Sequence, residues 1–244
     1  MTKPGEIFSI IPLLVHPESL RGEPIAISHA CPLCFKPEPT LVGNDRCRSY
    51  FSCRQCRLIF VPPVYHLSPE QEKDHYDHHE NHSDDPGYRK FLNQLAEPLH
   101  NRLRPHSSGL DFGSGPGPTL SLILQESGHT LSIYDPFYAY NPPLLGQTYD
   151  FITATEVAEH LHHPGLELDQ LWARLKVDGI LGIMTQLAPS DRPFLDWYYI
   201  KDPTHVCFFS HETWGWLSSR WGAEIIYLQK NVVLFRKPSD SQSR

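Results

Sequence analysis

Leu110-Asp111-Phe112-Gly113-Ser114-Gly115-Pro116-Gly117-Pro118 is the stretch on which the fold turns. A short lead-in, Gly109-Leu110, reaches an acid and then a glycine-rich turn, and Thr119-Leu120-Ser121-Leu122-Ile123-Leu124-Gln125-Glu126 reads as a helix. Strand, glycine turn and helix in that order make a nucleotide-type pocket. Glycines let the backbone approach a ligand closely, and the helix N-terminus aims unpaired N–H groups at it. The turn reads D-x-G-x-G-x-G, not the full G-x-G-x-x-G of the dinucleotide fingerprint, and taken alone it also fits a plain tight turn.

The next strand, Thr130-Leu131-Ser132-Ile133-Tyr134-Asp135, raises the signal. It ends in a carboxylate about 20 residues beyond the glycines, the spacing at which an acid meets ribose hydroxyls. The pattern therefore calls for a ligand that carries an adenosine. Between NAD and S-adenosylmethionine, the acid that opens the turn favours the latter.

Asp111-Phe112-Gly113-Ser114-Gly115 resembles the first motif of class I S-adenosylmethionine-dependent methyltransferases, and Asp135 falls where that family binds ribose. Tyr149-Asp150-Phe151-Ile152, followed by Glu156-Val157-Ala158-Glu159-His160, resembles the fourth strand and following loop of the ubiquinone-type branch. Leu175-Lys176-Val177-Asp178-Gly179-Ile180-Leu181 resembles the turn into the fifth strand. The resemblance implies an α/β fold: a Rossmann-like sheet with helices on both faces and an antiparallel C-terminal hairpin. It places the methionine end of the cofactor on Asp111, Gly113, Ser114 and Gly115, and the ribose on Asp135. Pro136 and Phe137 are expected beside the adenine, and Thr155 at the carboxyl edge of the fourth strand.

Length and composition set the limits. The 244 residues hold one ordinary domain and a small appendage, and 40% hydrophobic residues are enough for a packed core. A net charge of −7 argues against a surface that grips nucleic acid throughout, while leaving room for a local basic patch. The apolar run from Ile7 to Val15 is short and contains Pro12, so it reads as neither a membrane span nor a signal peptide, and a cytoplasmic location is expected. The expected divisions are an N-terminal arm (1–30), a zinc ribbon (31–62), a linker (63–85), the methyltransferase domain (86–237) and a disordered tail (238–244).

The ribbon rests on Cys31-Pro32-Leu33-Cys34 and, after eighteen residues, Cys53-Arg54-Gln55-Cys56. Two C-x-x-C knuckles at this separation match a structural four-cysteine zinc site. Reduced cytosolic thiols suit zinc better than disulfides; unconnected buried cysteines and a redox pair are the alternatives. Cys47 and Cys207 are expected to be ordinary buried thiols. Between Cys31 and Phe60, Lys36, Arg46, Arg48, Arg54 and Arg57 face only Glu38 and Asp45, with Tyr50 and Phe51 interleaved. This reads either as a nucleic-acid patch or as solvated arginines on a small ribbon.

In the linker, His75, His78 or His79, and His82 would share one face if the stretch were helical, as metal ligands or as a solvated connector. Tyr76 could instead help close the cofactor pocket. Tyr88, Phe91, Leu92, Leu95, Leu99 and Leu103 mark an amphipathic helix that Pro98 should kink or end. Only thirteen residues, Pro136 to Thr148, separate Asp135 from the next strand, so the third strand of the family and its helix are expected to be abbreviated.

The chemistry is expected after the strand ending near Thr155. Glu156, Glu159 and His160 are candidate ligands for a second divalent metal; the plain alternative is that Glu156 and His160 begin the next helix. Leu166, Leu168, Leu171, Trp172 and Leu175 should bury that helix. Asp196-Trp197-Tyr198-Tyr199 and Asp202-Pro203-Thr204-His205-Val206 form the expected substrate wall, the latter resembling a block of the ubiquinone type. His205, with Glu159 and His160, is a candidate catalytic group: a general base for a hydroxyl or amine, or a histidine bonded to backbone. A small-molecule acceptor is the favoured reading. The rivals are an RNA-modifying methyltransferase whose ribbon grips the nucleic acid, and a binding module that keeps the fold without turnover.

Overall fold

The structure, a computed structural model, describes residues 30–78 and 82–239. The expected N-terminal arm (all but its last residue), His79, and residues 240–244 of the expected tail lie outside it.

Two sheets organise the described chain. The larger has six strands: β4 (Ser108–Phe112), β5 (Thr130–Tyr134), β6 (Tyr149–Thr155), β7 (Leu175–Met184), β9 (Glu224–Gln229) and β10 (Val232–Arg236). Their order is β5-β4-β6-β7-β10-β9. The first four run parallel, and β10 lies antiparallel to both β7 and β9. The family-like fold, with its C-terminal hairpin, is present.

Alternating side chains divide the core into two layers, as period-2 strands require. Phe151, Ile180, Val232 and Leu234 face one side and meet α2 (Pro86–His100) and α3 (Thr119–Glu126). Ile152, Leu181, Val233 and Phe235 face the other, where α4 (Pro164–Ala173) and α5 (His211–Trp221) pack. Ser210 caps α5 through a capping box with Thr213, and left-handed Gly222 ends it.

Some local expectations shift. Helix α2 continues two residues past Pro98, because Pro98 sits in its last turn. Leu166 is exposed, and Leu175 opens β7 rather than closing α4. No strand lies beyond β5 among the described residues; a single bridge, Asp135 to Ala139, and a 3-10 turn at Pro142–Gly146 occupy that edge. The abbreviation read from the short Pro136–Thr148 segment is therefore observed.

The smaller sheet joins the ribbon to the main domain. Strands β1 (Thr40–Asn44), β2 (Ser49–Ser52) and β3 (Ile59–Phe60) are antiparallel, and β3 pairs with β8 (Cys207–Phe208) from far down the chain. At the first knuckle, Gly165 N donates to Pro32 O at 3.2 Å. A Cβ on Gly165 would lie 2.3 Å from Leu33 O, so only glycine lets α4 seat this closely. The linker is structured too: α1 (Pro69–Tyr76) starts on a Ser68 capping box. Among the described residues no helix is long and apolar enough to cross a membrane.

Candidate functional site

The glycine turn leaves β4 at its carboxyl end. Gly113 N and Ser114 N both donate to Tyr134 O, at 2.8 and 3.3 Å, tying the turn to the end of β5. Gly113 and Gly115 hold φ +73° and +62°, a region that costs other residues about 1–2 kcal/mol. A Cβ on Gly113 would lie 2.4 Å from Val157 Cγ2, whereas one on Gly115 would meet nothing within 4 Å. The turn is thus packed beneath the loop after β6 on one side and open on the other.

Asp135 follows β5. Its Oδ2 accepts from Gly115 N at 2.9 Å, and its Oδ1 from Phe137 N and Tyr138 N at 2.8 and 3.0 Å. A carboxylate held this way keeps further acceptor capacity. Asp111 points instead into the sheet, where Thr153 Oγ1 and Ser121 Oγ donate to it at 2.8 and 3.0 Å. It is 3% exposed, and burial raises its pKa to about 6 despite those hydroxyls. Asp111 therefore braces β4, β6 and α3 from beneath the turn. Ser114 Oγ and Thr155 Oγ1 are buried without a partner among the described residues, at the carboxyl ends of β4 and β6. Buried hydroxyls are normally satisfied, so this pair fits a polar ligand lying across the sheet's edge. Pro136 is exposed beside Asp135, and Phe137 packs on Tyr76, whose ring also meets His160 edge-on at 5.4 Å.

The loop after β6 carries the candidate reactive groups. Glu156 has φ +51°, and Ala158–His160 forms a 3-10 turn, so α4 begins only at Pro164. The Tyr199 hydroxyl donates to the Glu159 carboxyl and lies 3.3 Å from Glu156 Oε2. Burial, reinforced by Glu159, raises the Glu156 pKa to about 9, and burial raises that of Glu159. One oxygen on each carboxyl, Glu156 Oε1 and Glu159 Oε2, has no partner among the described residues.

His160 and His205 stack edge-on at 4.7 Å. His205 Nδ1 lies 2.8 Å from Tyr199 O and His160 Nδ1 3.2 Å from Thr204 O. A carbonyl can only accept, so Nδ1 carries the proton in both rings and Nε2 keeps its lone pair. Burial lowers the His160 pKa to about 4; burial and neighbouring His160 lower that of His205. Both imidazoles are neutral at pH 7. His205 Nε2 is 3.8 Å from Asp202 Oδ2, a carboxylate placed to stabilise the imidazolium once formed.

The metal set expected at Glu156, Glu159 and His160 is not the set brought together. Ligand atoms of Glu159, His160 and His205 lie within 4.8 Å of one another, with Glu156 outside that group. Among the described residues α1 ends at Tyr76, so of the histidines expected on one linker face only His75 lies on this helix; His79 lies outside the described residues. His75 pairs with Asp202 at 3.3 Å, and His78 Nδ1 donates to Asp74 O at 2.6 Å.

The four ribbon cysteines converge. Cys31 and Cys56 sulfurs are 3.5 Å apart and those of Cys34 and Cys53 3.4 Å, all four lying within 4.8 Å of one another. A tetrahedron with zinc–sulfur bonds of about 2.3 Å needs sulfur separations of about 3.8 Å, so the cluster fits zinc. The two knuckles repeat one turn: Phe35 N donates to Cys31 O and Arg57 N to Cys53 O, each at 2.9 Å, with φ +60° and +63° at Phe35 and Arg57. The neighbouring Cys56 thiol draws the Cys31 pKa down to about 6, toward the thiolate that a metal takes. Cys207 is buried as expected, but Cys47 is exposed in the β1–β2 turn, where no hydrophobic layer reaches it.

The basic patch is also partly dismantled. Arg48 is 8% exposed and donates to the carbonyls of Ile200, Asp202, Pro203 and His205; Tyr50 is fully buried. Charge counting could not separate Arg48 from its solvated neighbours.

A methyltransferase domain family matches residues 76–228. No curated protein matches the sequence. Among solved structures, the chain is similar to the 1,6-didemethyltoxoflavin-N1-methyltransferase of Burkholderia thailandensis, crystallised with 1,6-didemethyltoxoflavin and S-adenosylhomocysteine. That match has 16% identity and a TM-score of 0.54, and covers 83% of this chain and 100% of the other. The magnesium protoporphyrin IX methyltransferase of Synechocystis PCC 6803, with bound S-adenosylhomocysteine, matches at 12% identity and a TM-score of 0.48, covering 71% and 96%.

Proposed function

The chain belongs to the methyltransferase domain family, and from that premise we propose that it is an enzyme that methylates a hydroxyl or amine of a small molecule. S-adenosylmethionine, when bound, supplies an electrophilic sulfonium methyl group. Gly113 to Gly115 and the unpartnered Ser114 and Thr155 hydroxyls take the methionine end, with Asp111 bracing them. Asp135 takes the ribose hydroxyls, and Pro136 and Phe137 flank the adenine.

The observation that carries this reading is the buried convergence of Glu159, His160 and His205 beside the glycine turn, linked to it through Val157. His205 accepts the acceptor's proton at Nε2, and Asp202 stabilises the resulting imidazolium. Glu156, its pKa raised to about 9, is protonated at neutral pH and offers a hydrogen bond without adding charge, and burial raises the pKa of Glu159 as well. Holding the nucleophile in line with the methyl supplies much of the acceleration. A buried wall of neutral imidazoles beside one carboxylate suits a small acceptor better than RNA, and the internal use of Arg48 and Tyr50 removes the core of a nucleic-acid patch. The ribbon over residues 31–62 holds structural zinc and works with the domain over residues 86–237 as one unit, in the cytosol, where its thiols stay reduced.

Calorimetric titration with S-adenosylhomocysteine, with Asp135→Ala alongside, is the test. Binding by wild type that falls at least tenfold in the variant supports the reading. A folded, zinc-loaded wild type that does not bind sinks it. A second use of the cluster, a divalent cation on Glu159, His160 and His205, is favoured by their 4.8 Å grouping. Paramagnetic resonance with Mn2+ separates the two, since stoichiometric capture abolished by His205→Gln replaces the base with a metal.

A further inference from the structure

Arg48 sits where β2 begins, at the end of a tight turn that Asp45 fixes by accepting from Cys47 N and Arg48 N at 2.7 and 2.6 Å. Its guanidinium reaches more than 150 residues along the sequence to the segment that follows Tyr199. Nη1 donates to Pro203 O and His205 O at 3.1 and 3.0 Å, and Nη2 to Asp202 O at 3.0 Å and to Ile200 O. A buried guanidinium needs its N–H groups satisfied, and here backbone carbonyls satisfy them.

The same segment orients the two histidines. Two more of its carbonyls, Tyr199 O and Thr204 O, accept from His205 Nδ1 and His160 Nδ1. Six of the seven carbonyls from Tyr199 to His205 thus accept from this one arginine or from the two imidazoles. Rotating any of these peptides away from Arg48 would turn its neighbours away from the rings.

We infer that Arg48 is a positioning residue of the active site: from the zinc ribbon, it sets the peptide planes that hold His160 and His205 as Nδ1–H tautomers. The ribbon thereby becomes part of the acceptor site and not only a fold support. The catalytic meaning of this role rests on the methyltransferase reading above; the tautomers themselves do not.

The test uses 15N-labelled, zinc-loaded full-length protein, with Arg48→Ala and Arg48→Lys. Long-range 1H–15N correlation spectra report which imidazole nitrogen carries the proton, a signal that a general loss of stability does not move. Wild type is expected to show Nδ1–H at His160 and His205. Arg48→Ala is expected to shift both toward Nε2–H, and millimolar methylguanidinium to restore the wild-type pattern. Arg48→Lys, a single ammonium facing four carbonyls, should remain shifted. Zinc content should be unchanged, and S-adenosylhomocysteine affinity should stay within about twofold, because Arg48 touches no part of the glycine turn. Unchanged tautomers in both variants, or Nε2–H already in wild type, overturn the inference. Loss of zinc or of S-adenosylhomocysteine binding in both variants overturns it as well, making Arg48 a folding residue. Failure of wild type itself to bind S-adenosylhomocysteine refutes the methyltransferase reading instead, and is read on the separate calorimetric signal.

Discussion

Gly113→Ala tests the geometry of the glycine turn without any knowledge of the acceptor. The new Cβ carries two costs. Holding alanine at φ +73° costs about 1–2 kcal/mol. Placing the Cβ 2.4 Å from Val157 Cγ2 and 3.1 Å from Cγ1 forces a shift in a packed site, worth about 1–3 kcal/mol. Together the variant should lose about 3 kcal/mol. Val157→Ala alone should lose about 2 kcal/mol, from lost burial and the cavity left behind. The double variant separates the costs, because removing the Val157 methyls relieves the clash and leaves the backbone term. It should therefore be more stable than the sum of the singles by about 1–3 kcal/mol, a coupling that urea unfolding at fixed pH and zinc resolves. Additivity within about 0.5 kcal/mol would refute the contact between turn and loop. A Gly113→Ala protein as stable as wild type would refute the left-handed turn itself.

Asp111→Asn keeps the shape of the carboxyl while removing its charge. An acid whose folded pKa is raised from 3.8 to about 6 confers stability that is present below the unfolded pKa and lost as pH rises through the folded one. Wild type should therefore lose about 3 kcal/mol relative to Asp111→Asn between about pH 4 and pH 6, with the gap constant above; a flat gap in denaturation series across that window would refute the burial argument. Iodoacetamide on zinc-loaded protein should modify Cys47 first, with Cys207 protected, as read by peptide mass spectrometry. Mercurial titration should release zinc from wild type and none from Cys53→Ser, and equal labelling of all six thiols would contradict the ribbon geometry. Tyr76→Ala removes the ring between Phe137 and His160 and should weaken S-adenosylhomocysteine binding about tenfold by calorimetry, roughly the worth of a partly buried aromatic.

The features legible in the sequence are those whose cause is local. A residue that must take φ +73° reads as glycine, the 3.6-residue period of Tyr88 to Leu103 reads as a helix, and paired C-x-x-C knuckles read as a sulfur tetrahedron. The short Pro136–Thr148 segment could not house a helix and a strand, so the missing third strand was legible as a length. The ligand set after β6 was not. Glu156 and Glu159 lie close in sequence and share the Tyr199 hydroxyl, but the ligand atoms of Glu159 group with those of His160 and of His205, which comes from more than 40 residues further along the chain. Cys47 misled because sequence proximity to buried cysteines says nothing about which side of a hairpin faces solvent.

By itself, then, the sequence determined a strand–glycine turn–helix unit with an acid at the next strand's end, a four-thiol knuckle pair, and the amphipathic helix that precedes the first strand of one α/β domain. Each follows from backbone sterics, side-chain periodicity or ligand spacing within a few tens of residues. Only the tertiary structure decided that β3 pairs with β8, that Asp111 braces the turn while Asp135 lines it, and that Arg48 belongs to the segment bearing His205. Those contacts join residues far apart in the chain. A guanidinium on a small ribbon has the same local signature whether it meets water or four backbone carbonyls, and only the packed fold distinguishes the two.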